Sequence, residues 1–289
     1  MRALTYLFAG LALNLVACGA SEPPVETPPA VPPAPPPSAA ATATATAEAI
    51  ATAAPTAVAT AAPVATAAPE AAKPASPCPA NMVLVPGGTF TLKQPKHEAK
   101  VAAFCMDVNE TTADEYAACV KAGKCTGNNL KCAAQATYET PGSGNHPINC
   151  VDFEQANNYC KAQSKRLSTE EEWEWAARGG EKATTFPWGN EKPNGKLCWS
   201  GESALVGTCA VGATPAGDSP QGIHDLAGNV YEWTTAITDN AGPMRIGRGG
   251  SWRESGPEGI KVTRRGPGFE VTYRCGFLGI RCVSEPAKP

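Results

Sequence analysis

The chain has 289 residues, a formal net charge of −3 and 12 cysteines. The charge is small and forms no basic stripe, so nucleic acid is not indicated as a partner. No apolar run is long enough to span a bilayer as a helix.

Residues 1–18 predict export. Arg2 precedes a short apolar run, 3–16, of the length found in a secretory signal. The run leads into LVAC, which resembles the bacterial lipobox, so we expect cleavage before Cys18 and lipidation of its thiol. An ordinary signal peptide cleaved after Ala17 is the alternative. Acyl chains hold a protein at a membrane, so the sequence predicts an exported lipoprotein at the outer membrane or the periplasmic face.

Residues 19–77 consist almost entirely of Ala, Pro, Thr, Glu and Val. Such a composition cannot form a core and favours extended backbone, which predicts a disordered tether. A globular domain is expected over 78–286, where glycine, tryptophan, cysteine and charge appear together. The cysteines after Cys18 are odd in number and include no C-x-x-C pair, so an exported chain should hold disulfides, with at least one thiol that stays free or pairs with another chain.

The first half of the domain shows regular patterns. Residues 82–92 predict a strand, a turn and a second strand, and 102–110 predict another strand. Thr112 and Glu115 form a capping box before a helix near 113–122. Residues 124–149 have the composition of a loop.

Two further helices are predicted. Residues 151–163 place Phe153, Ala156, Tyr159 and Cys160 on one face. A capping box at Thr169 and Glu172 begins the second helix, whose inner stripe is Trp173, Ala176 and Ala177 and which ends at Gly179. Beyond it we expect short strands and long loops.

Several motifs occur in an order that identifies a family. They are MVLVPGGTF, HPINCVDFEQANNYCKAQSKRLSTEEEWEWAARGG, FPWGN, GIHDLAGNVYEW, RGGSW and LGIRCV. Together they resemble the formylglycine-generating enzyme, or sulfatase-modifying factor, family. The resemblance implies an α+β fold, a loop-rich variant of the C-type lectin fold that disulfides hold together. It also implies a disulfide between Cys160 and Cys282.

Active members of that family use copper(I), held by two cysteines spaced C-x₄-C shortly after RGGSW. Thiolates suit this soft ion. The matching positions here are Gly259 and Arg264, and 248–274 contains no cysteine. Copper is therefore not expected, and RGGSW is interpreted as structural, with tight glycines and Trp252 packed beneath. Arg264 and Arg265 would instead present positive charge to an acidic partner.

The resemblance also implies a calcium site in HDLAGNVYEW. Its ligands would be the side chains of Asp225 and Glu232 and the carbonyls of Gly228 and Val230, which are hard oxygens. No Lys or Arg lies nearby in the segment to neutralise the two acids. A plain turn with solvated carboxylates is the alternative.

A second family calcium site has Leu197 at a ligand position, so it is not expected. Cys198 and Cys209 flank that loop and would close it instead. Spacing alone leaves the other connectivity open. The pairs that would each close a local loop are Cys78 with Cys105, Cys119 with Cys125, and Cys132 with Cys150, which leaves Cys275 free.

Other chemistry has little support. His97, His146 and His224 lie far apart in sequence and form no ligand pattern, and no G-x-S-x-G motif is present. The sequence therefore favours a non-catalytic binding or scaffold module with a protein, peptide or glycan ligand. The alternatives are a formylglycine-generating oxidase acting on sulfatase cysteines and a purely structural envelope lipoprotein.

Overall fold

The structure is a computed structural model that describes residues 76–238 and 244–288. Residues 21–74 lie outside the described residues. Cys18 and nearly all of the predicted tether lie outside them as well. Among the described helices, none combines the length and the apolar character that crossing a membrane requires.

Within the described residues, three α-helices and ten short strands are connected by long loops. The helices are α1 (Ala113–Lys121), α2 (Phe153–Ala162) and α3 (Glu170–Ala177). The strands are β1 (Met82–Val85), β2 (Gly88–Lys93), β3 (Lys96–Val101), β4 (Phe104–Asp107), β5 (Arg166–Leu167), β6 (Tyr231–Ile237), β7 (Met244–Arg248), β8 (Gly268–Glu270), β9 (Leu278–Gly279) and β10 (Cys282–Ser284).

The strands form two four-stranded sheets and one hairpin. One sheet has the order β1-β4-β10-β5, the other β8-β7-β6-β9, and β2 pairs with β3 alone. Most neighbours are antiparallel, but β6 and β9 run parallel and set Glu232 beside Gly279. The predicted strands of 82–92 are both present, and the turn between them sends β1 and β2 to different sheets.

The helices begin where the sequence predicts. Both expected capping boxes are formed, at Thr112 with Glu115 and at Thr169 with Glu172. A third, at Asp152 with Gln155, begins α2. In each, side chains satisfy backbone N–H groups that the first helical turn leaves without partners.

Helix α3 is buried on more than its predicted stripe. Trp173, Ala176 and Ala177 are buried as expected, but Trp175 is buried too. Its indole Nε1 donates to the carbonyl of Pro86 at 2.7 Å, and its ring tilts against Phe90 of β2. The β2–β3 hairpin thus covers a second face of α3, which a single-stripe pattern does not include.

Disulfides tie the loops to these elements. The five pairs are those named from the sequence: Cys78–Cys105, Cys119–Cys125, Cys132–Cys150, Cys160–Cys282 and Cys198–Cys209. Cys160–Cys282 joins α2 to β10 across 122 residues of sequence. Cys275 remains a thiol and is buried.

Candidate functional site

The segment that begins at RGGSW is anchored by a fully buried arginine. Arg248 donates through Nη1 to Glu170 at 2.8 Å and through Nη2 to Glu174 at 2.7 Å. Its Nη2 also donates to the carbonyl of Val262 at 2.6 Å, and its guanidinium lies 5.0 Å from the centre of a Trp173 ring. A buried guanidinium needs such partners because desolvation of the charge is costly. The arginine of the motif is therefore structural.

The two glycines and the tryptophan also have structural roles. Gly249 and Gly250 adopt φ values of 97° and 77°, a region that side chains disfavour. A Cβ atom on Gly250 would stand 2.9 Å from the carbonyl oxygen of Gly259. Trp252 is buried and donates to the carbonyl of Gly276 at 3.0 Å.

The positions that match the copper cysteines hold a different set of groups. Gly259 lies in a 3-10 turn, Pro257–Ile260. The carboxylate of Glu254 occupies the space into which a side chain at 259 would project, and it accepts a hydrogen bond from the Tyr231 hydroxyl at 2.8 Å. A carboxylate is a hard ligand and copper(I) prefers thiolates. These residues therefore do not fit copper(I).

The two arginines after the turn differ from each other. Arg264 is exposed, as the sequence suggests for a charge that faces a partner. Arg265 is not available in this way, because its Nε lies 3.1 Å from both oxygens of Glu170. The expectation of two presented charges is wrong for Arg265. We call Arg248, Arg265, Glu170 and Glu174 the Arg248 cluster; its two cations face two carboxylates, and Arg178 lies at its edge, 3.8 Å from Glu174.

The predicted calcium segment forms the bend between the Cys198–Cys209 loop and β6. Asp225 and Gly228 have positive φ values of 56° and 83°. The Asp225 carboxylate accepts from the backbone N–H of Gly212 at 2.7 Å. Glu232 is the second residue of β6 and is 1% exposed. The solvated carboxylates of the alternative interpretation are not present, since both acids are buried.

A distant arginine reaches this segment. Arg281 lies beside β10 and is 1% exposed. Its Nε donates to Glu232 Oε1 at 2.8 Å, and its Nη2 donates to the carbonyl of His224 at 2.7 Å. The expectation that no cation neutralises the two acids is therefore wrong for Glu232. Parallel pairing of β6 with β9 brings the arginine there from 49 residues away.

A third carboxylate completes the site. Glu110 is 0% exposed; its Oε2 accepts from Asn229 Nδ2 at 2.6 Å and its Oε1 from the N–H of Val230 at 3.2 Å. We call Glu110, Asp225, Glu232 and Arg281 the Arg281 cluster. It holds three buried carboxylates and one buried cation.

The electrostatics follow from this imbalance. Burial raises the pKa of Glu110 well above its ordinary value, and the charges of Asp225 and Glu232 raise it further, while Arg281 opposes them. Burial also raises the pKa of Asp225, against the pull of the Gly212 N–H and of Arg281. The cluster thus favours taking up positive charge, either as a proton or as a cation.

The oxygen set is of the kind that calcium takes. Carboxylate and carbonyl oxygens are its preferred ligands, and the segment offers both kinds next to an excess of buried negative charge. Glu232 Oε1 already accepts from Arg281, and its Oε2 accepts from Trp173 Nε1 at 2.6 Å. Each carboxylate oxygen has two lone pairs, so these contacts leave capacity for an ion. The residues present therefore fit a calcium ion.

The described residues contain no cluster of side chains that would form another kind of metal site. In the described ranges, no three His, Cys, Asp or Glu side chains are placed to hold a metal ion; the calcium set takes two ligands from the backbone. The three histidines have separate partners. His97 lies 3.3 Å from Glu171, His146 2.9 Å from Thr208 and His224 2.7 Å from Asp218. At the second family site, Leu197 is buried beside the Cys198–Cys209 disulfide.

Four members of these clusters, Glu110, Glu170, Glu174 and Arg281, were not predicted as site residues, and neither was Trp173, which contacts both clusters. Glu110, Trp173 and Arg281 reach the site from a loop, a helix and the strand β10 region. Trp173 was expected in the core, and it also lies between the two clusters, under Arg248 and against Glu232. The local signal in the sequence was a charged residue between apolar ones, as Arg281 is in LGIRC.

Comparisons with known proteins agree with the motifs. The sulfatase-modifying factor enzyme 1-like domain family matches residues 67–286. The Mus musculus protein named inactive C-alpha-formylglycine-generating enzyme 2 is 37% identical over 172 residues, which are 52% of this chain and 54% of that protein. The chain thus spans about half the length of that relative and of its Bos taurus counterpart.

Solved structures share the fold. PvdO from Pseudomonas aeruginosa has a TM-score of 0.59 and 25% identity, covering 71% of this chain and 94% of that one. Treponema denticola variable protein 1 has a TM-score of 0.57 and 21% identity, covering 71% and 95%. This chain belongs to the sulfatase-modifying factor, or formylglycine-generating enzyme-like, family and has its loop-rich, C-type-lectin-like α+β fold.

Proposed function

We propose that the chain is a non-catalytic binding module that a lipid on Cys18 holds at the cell envelope. The observation that carries the proposal is the replacement of both copper cysteines, with Glu254 filling the space at Gly259. Of the cysteines in the described residues, Cys275 is buried and all the others form disulfides. A relative with a similar sequence is itself named an inactive enzyme.

The competing function is the oxidation of a sulfatase cysteine. The mature protein is incubated with copper(I), oxygen and a C-x-P-x-R peptide, with an active formylglycine-generating enzyme as the positive control. We expect no mass loss at the peptide cysteine, since there is no thiolate pair to hold the metal. Conversion of the peptide would overturn the proposal.

The surface around the lost copper positions supports a partner with acidic groups. Arg253 and Arg264 are exposed, and neither forms an ion pair with a described residue. Phe277 connects them: its ring lies 5.0 Å from the Arg253 guanidinium and 6.4 Å from the ring of Tyr231. Burial raises the pKa of the Tyr231 phenol, and the positive charge of Arg264 opposes this effect. Arg264 is therefore close enough to Tyr231 to act on its charge.

A hexaglutamate peptide tests this surface. Its binding is followed by fluorescence anisotropy at low and high salt. We expect Arg264→Glu to weaken binding about tenfold, because the substitution turns an attractive charge pair into a repulsive one. A tenfold change corresponds to about 1.4 kcal/mol of binding free energy. Lys121→Glu, which makes the same charge change at the exposed end of α1, is the control and should bind normally. Equal affinity of the Arg264→Glu and parent proteins would exclude this surface. If only an uncharged glycan array captures the protein, the ligand is not acidic.

Calcium belongs to the proposal as a structural ion. It would be held by Asp225, Glu232 and the carbonyls of Gly228 and Val230, where it would offset buried negative charge. A bound ion would fix the bend that leads into β6. One calcium ion per domain is expected, since Leu197 replaces a ligand of the second family site.

The anchor has its own test. Cells that express the full chain or its Cys18→Ser variant are separated into membrane and soluble fractions. We expect the parent chain with the membranes and the variant in the soluble fraction, because acyl chains supply the membrane affinity. A soluble parent chain would instead indicate an ordinary signal peptide cleaved after Ala17.

A further inference from the structure

A groove lies between the β2–β3 hairpin and the end of α3, away from the segments that the proposed function uses. Its volume is about 730 Å³, within the range of small-molecule sites. The groove is lined by Thr89, Phe90, Thr91, Lys93, Lys96, Trp175, Arg178, Gly180 and Glu181. Three of these residues are cations and one is an acid.

Two of the cations face each other. Lys93 and Lys96 are directly opposite in the β2–β3 register. Like charges at such a position destabilise a hairpin. Both side chains are exposed, and neither forms an ion pair with a described residue. The hairpin therefore carries a like-charge repulsion that no ion pair among the described residues relieves.

The third cation lies over the floor of the groove. The Arg178 guanidinium is 4.9 Å from the centre of the Phe90 ring. Its ion pair in the described structure is a 3.8 Å contact to Glu174, a carboxylate that Arg248 already engages. Its Nε has no hydrogen-bond partner among the described residues. A guanidinium has five N–H donors, and most of those on Arg178 are not committed.

We propose that this groove binds a small phosphate ester. The phosphate lies among Lys93, Lys96 and Arg178, and the organic part lies against Phe90. Arginine and lysine form strong charge-assisted hydrogen bonds to phosphate oxygens. An ester fits better than the free ion, because the groove is much larger than a phosphate and has an aromatic floor.

Isothermal titration of the purified protein with glucose 6-phosphate tests the proposal. Glucose, inorganic phosphate and vesicles of phosphatidylglycerol are titrated in parallel. We expect glucose 6-phosphate to bind at least tenfold more tightly than either half of the molecule. Equal binding of inorganic phosphate would overturn the role of the organic part. Binding to the vesicles alone would overturn a small-molecule site in favour of a membrane surface, and no binding of any probe would overturn the proposal.

One substitution separates a ligand site from a solvated patch. Lys96→Glu replaces a like-charge pair with an opposite pair, so we expect a higher melting temperature together with at least tenfold weaker binding. Lys100→Glu is the matched control, because it lies on the same strand but outside the groove; it should bind normally. Glu181→Gln should strengthen binding by removing the one acid. Unchanged binding by Lys96→Glu would contradict the site, and neither Arg264→Glu nor the copper assay bears on it.

Discussion

The Arg248 cluster and the Arg281 cluster are both buried, yet their charges are balanced differently. In the first, Arg248 and Arg265 face Glu170 and Glu174. In the second, Arg281 is the sole cation with three carboxylates. A balanced buried network holds the chain in place, whereas an unbalanced one must take up a proton or a cation. The difference separates a segment whose residues do not suit copper(I) from a segment whose oxygen ligands and excess negative charge suit a hard cation.

The largest effect is expected from removing the central arginines. Arg281→Met should lower the free energy of unfolding by about 3–5 kcal/mol, because it leaves buried carboxylates without their cation. Arg248→Met should cost less, since Arg265 still faces Glu170. Urea unfolding at neutral pH in a chelator measures both. Equal losses would show that charge balance does not distinguish the two clusters.

Calcium should act on one cluster alone. At a free concentration about one hundred times its dissociation constant, the ion should raise the free energy of unfolding by about 2.7 kcal/mol. Asp225→Asn should abolish that gain, whereas Arg248→Met should retain it. Thermal unfolding with and without a chelator measures the gain, and calorimetry gives the number of ions. More than one ion per domain would contradict the loss of the second site.

Trp173 connects the two clusters, and its indole N–H can be removed alone. Trp173→Phe should cost about 1.5–3 kcal/mol, the range for hydrogen bonds to a charged group, because Glu232 Oε2 loses its donor. A phenyl ring keeps a face toward Arg248. Chemical unfolding of this variant in the Arg248→Met background should show only the modest coupling expected from the 5.0 Å contact between the Arg248 guanidinium and the Trp173 ring. Coupling as large as either single loss would mean that the clusters act as one.

The smallest effect is a pH dependence. The pKa of Glu110 is raised in the folded protein, so the folded state binds its proton more tightly than the unfolded state. Stability without calcium should therefore fall as pH rises above about 4.3, by at most about 1.4 kcal/mol per pH unit, until the folded pKa is passed. Glu110→Gln should flatten this dependence. A rise in stability over the same window of pH, specific to the parent protein, would contradict the direction.

Local patterns identified much of the fold. The capping boxes at Thr112 and Thr169 placed two helices, since each depends on residues only three positions apart. Alternation placed β1 and β2 but not their partners, which lie elsewhere in the chain. Motif order identified the family, the absent copper cysteines and the positions of Asp225 and Glu232.

Which charged residues pair with each other could be seen only in the tertiary structure. Arg265 has the same sequence context as Arg264, yet one pairs with Glu170 on α3 and the other remains exposed. Glu110 and Arg281 reach Glu232 from segments more than a hundred residues apart along the chain. Short-range patterns in the sequence determined where the helices begin, because backbone preferences are local. Which charges are buried together depended on long-range packing, since burial and partners exist only once the chain has folded.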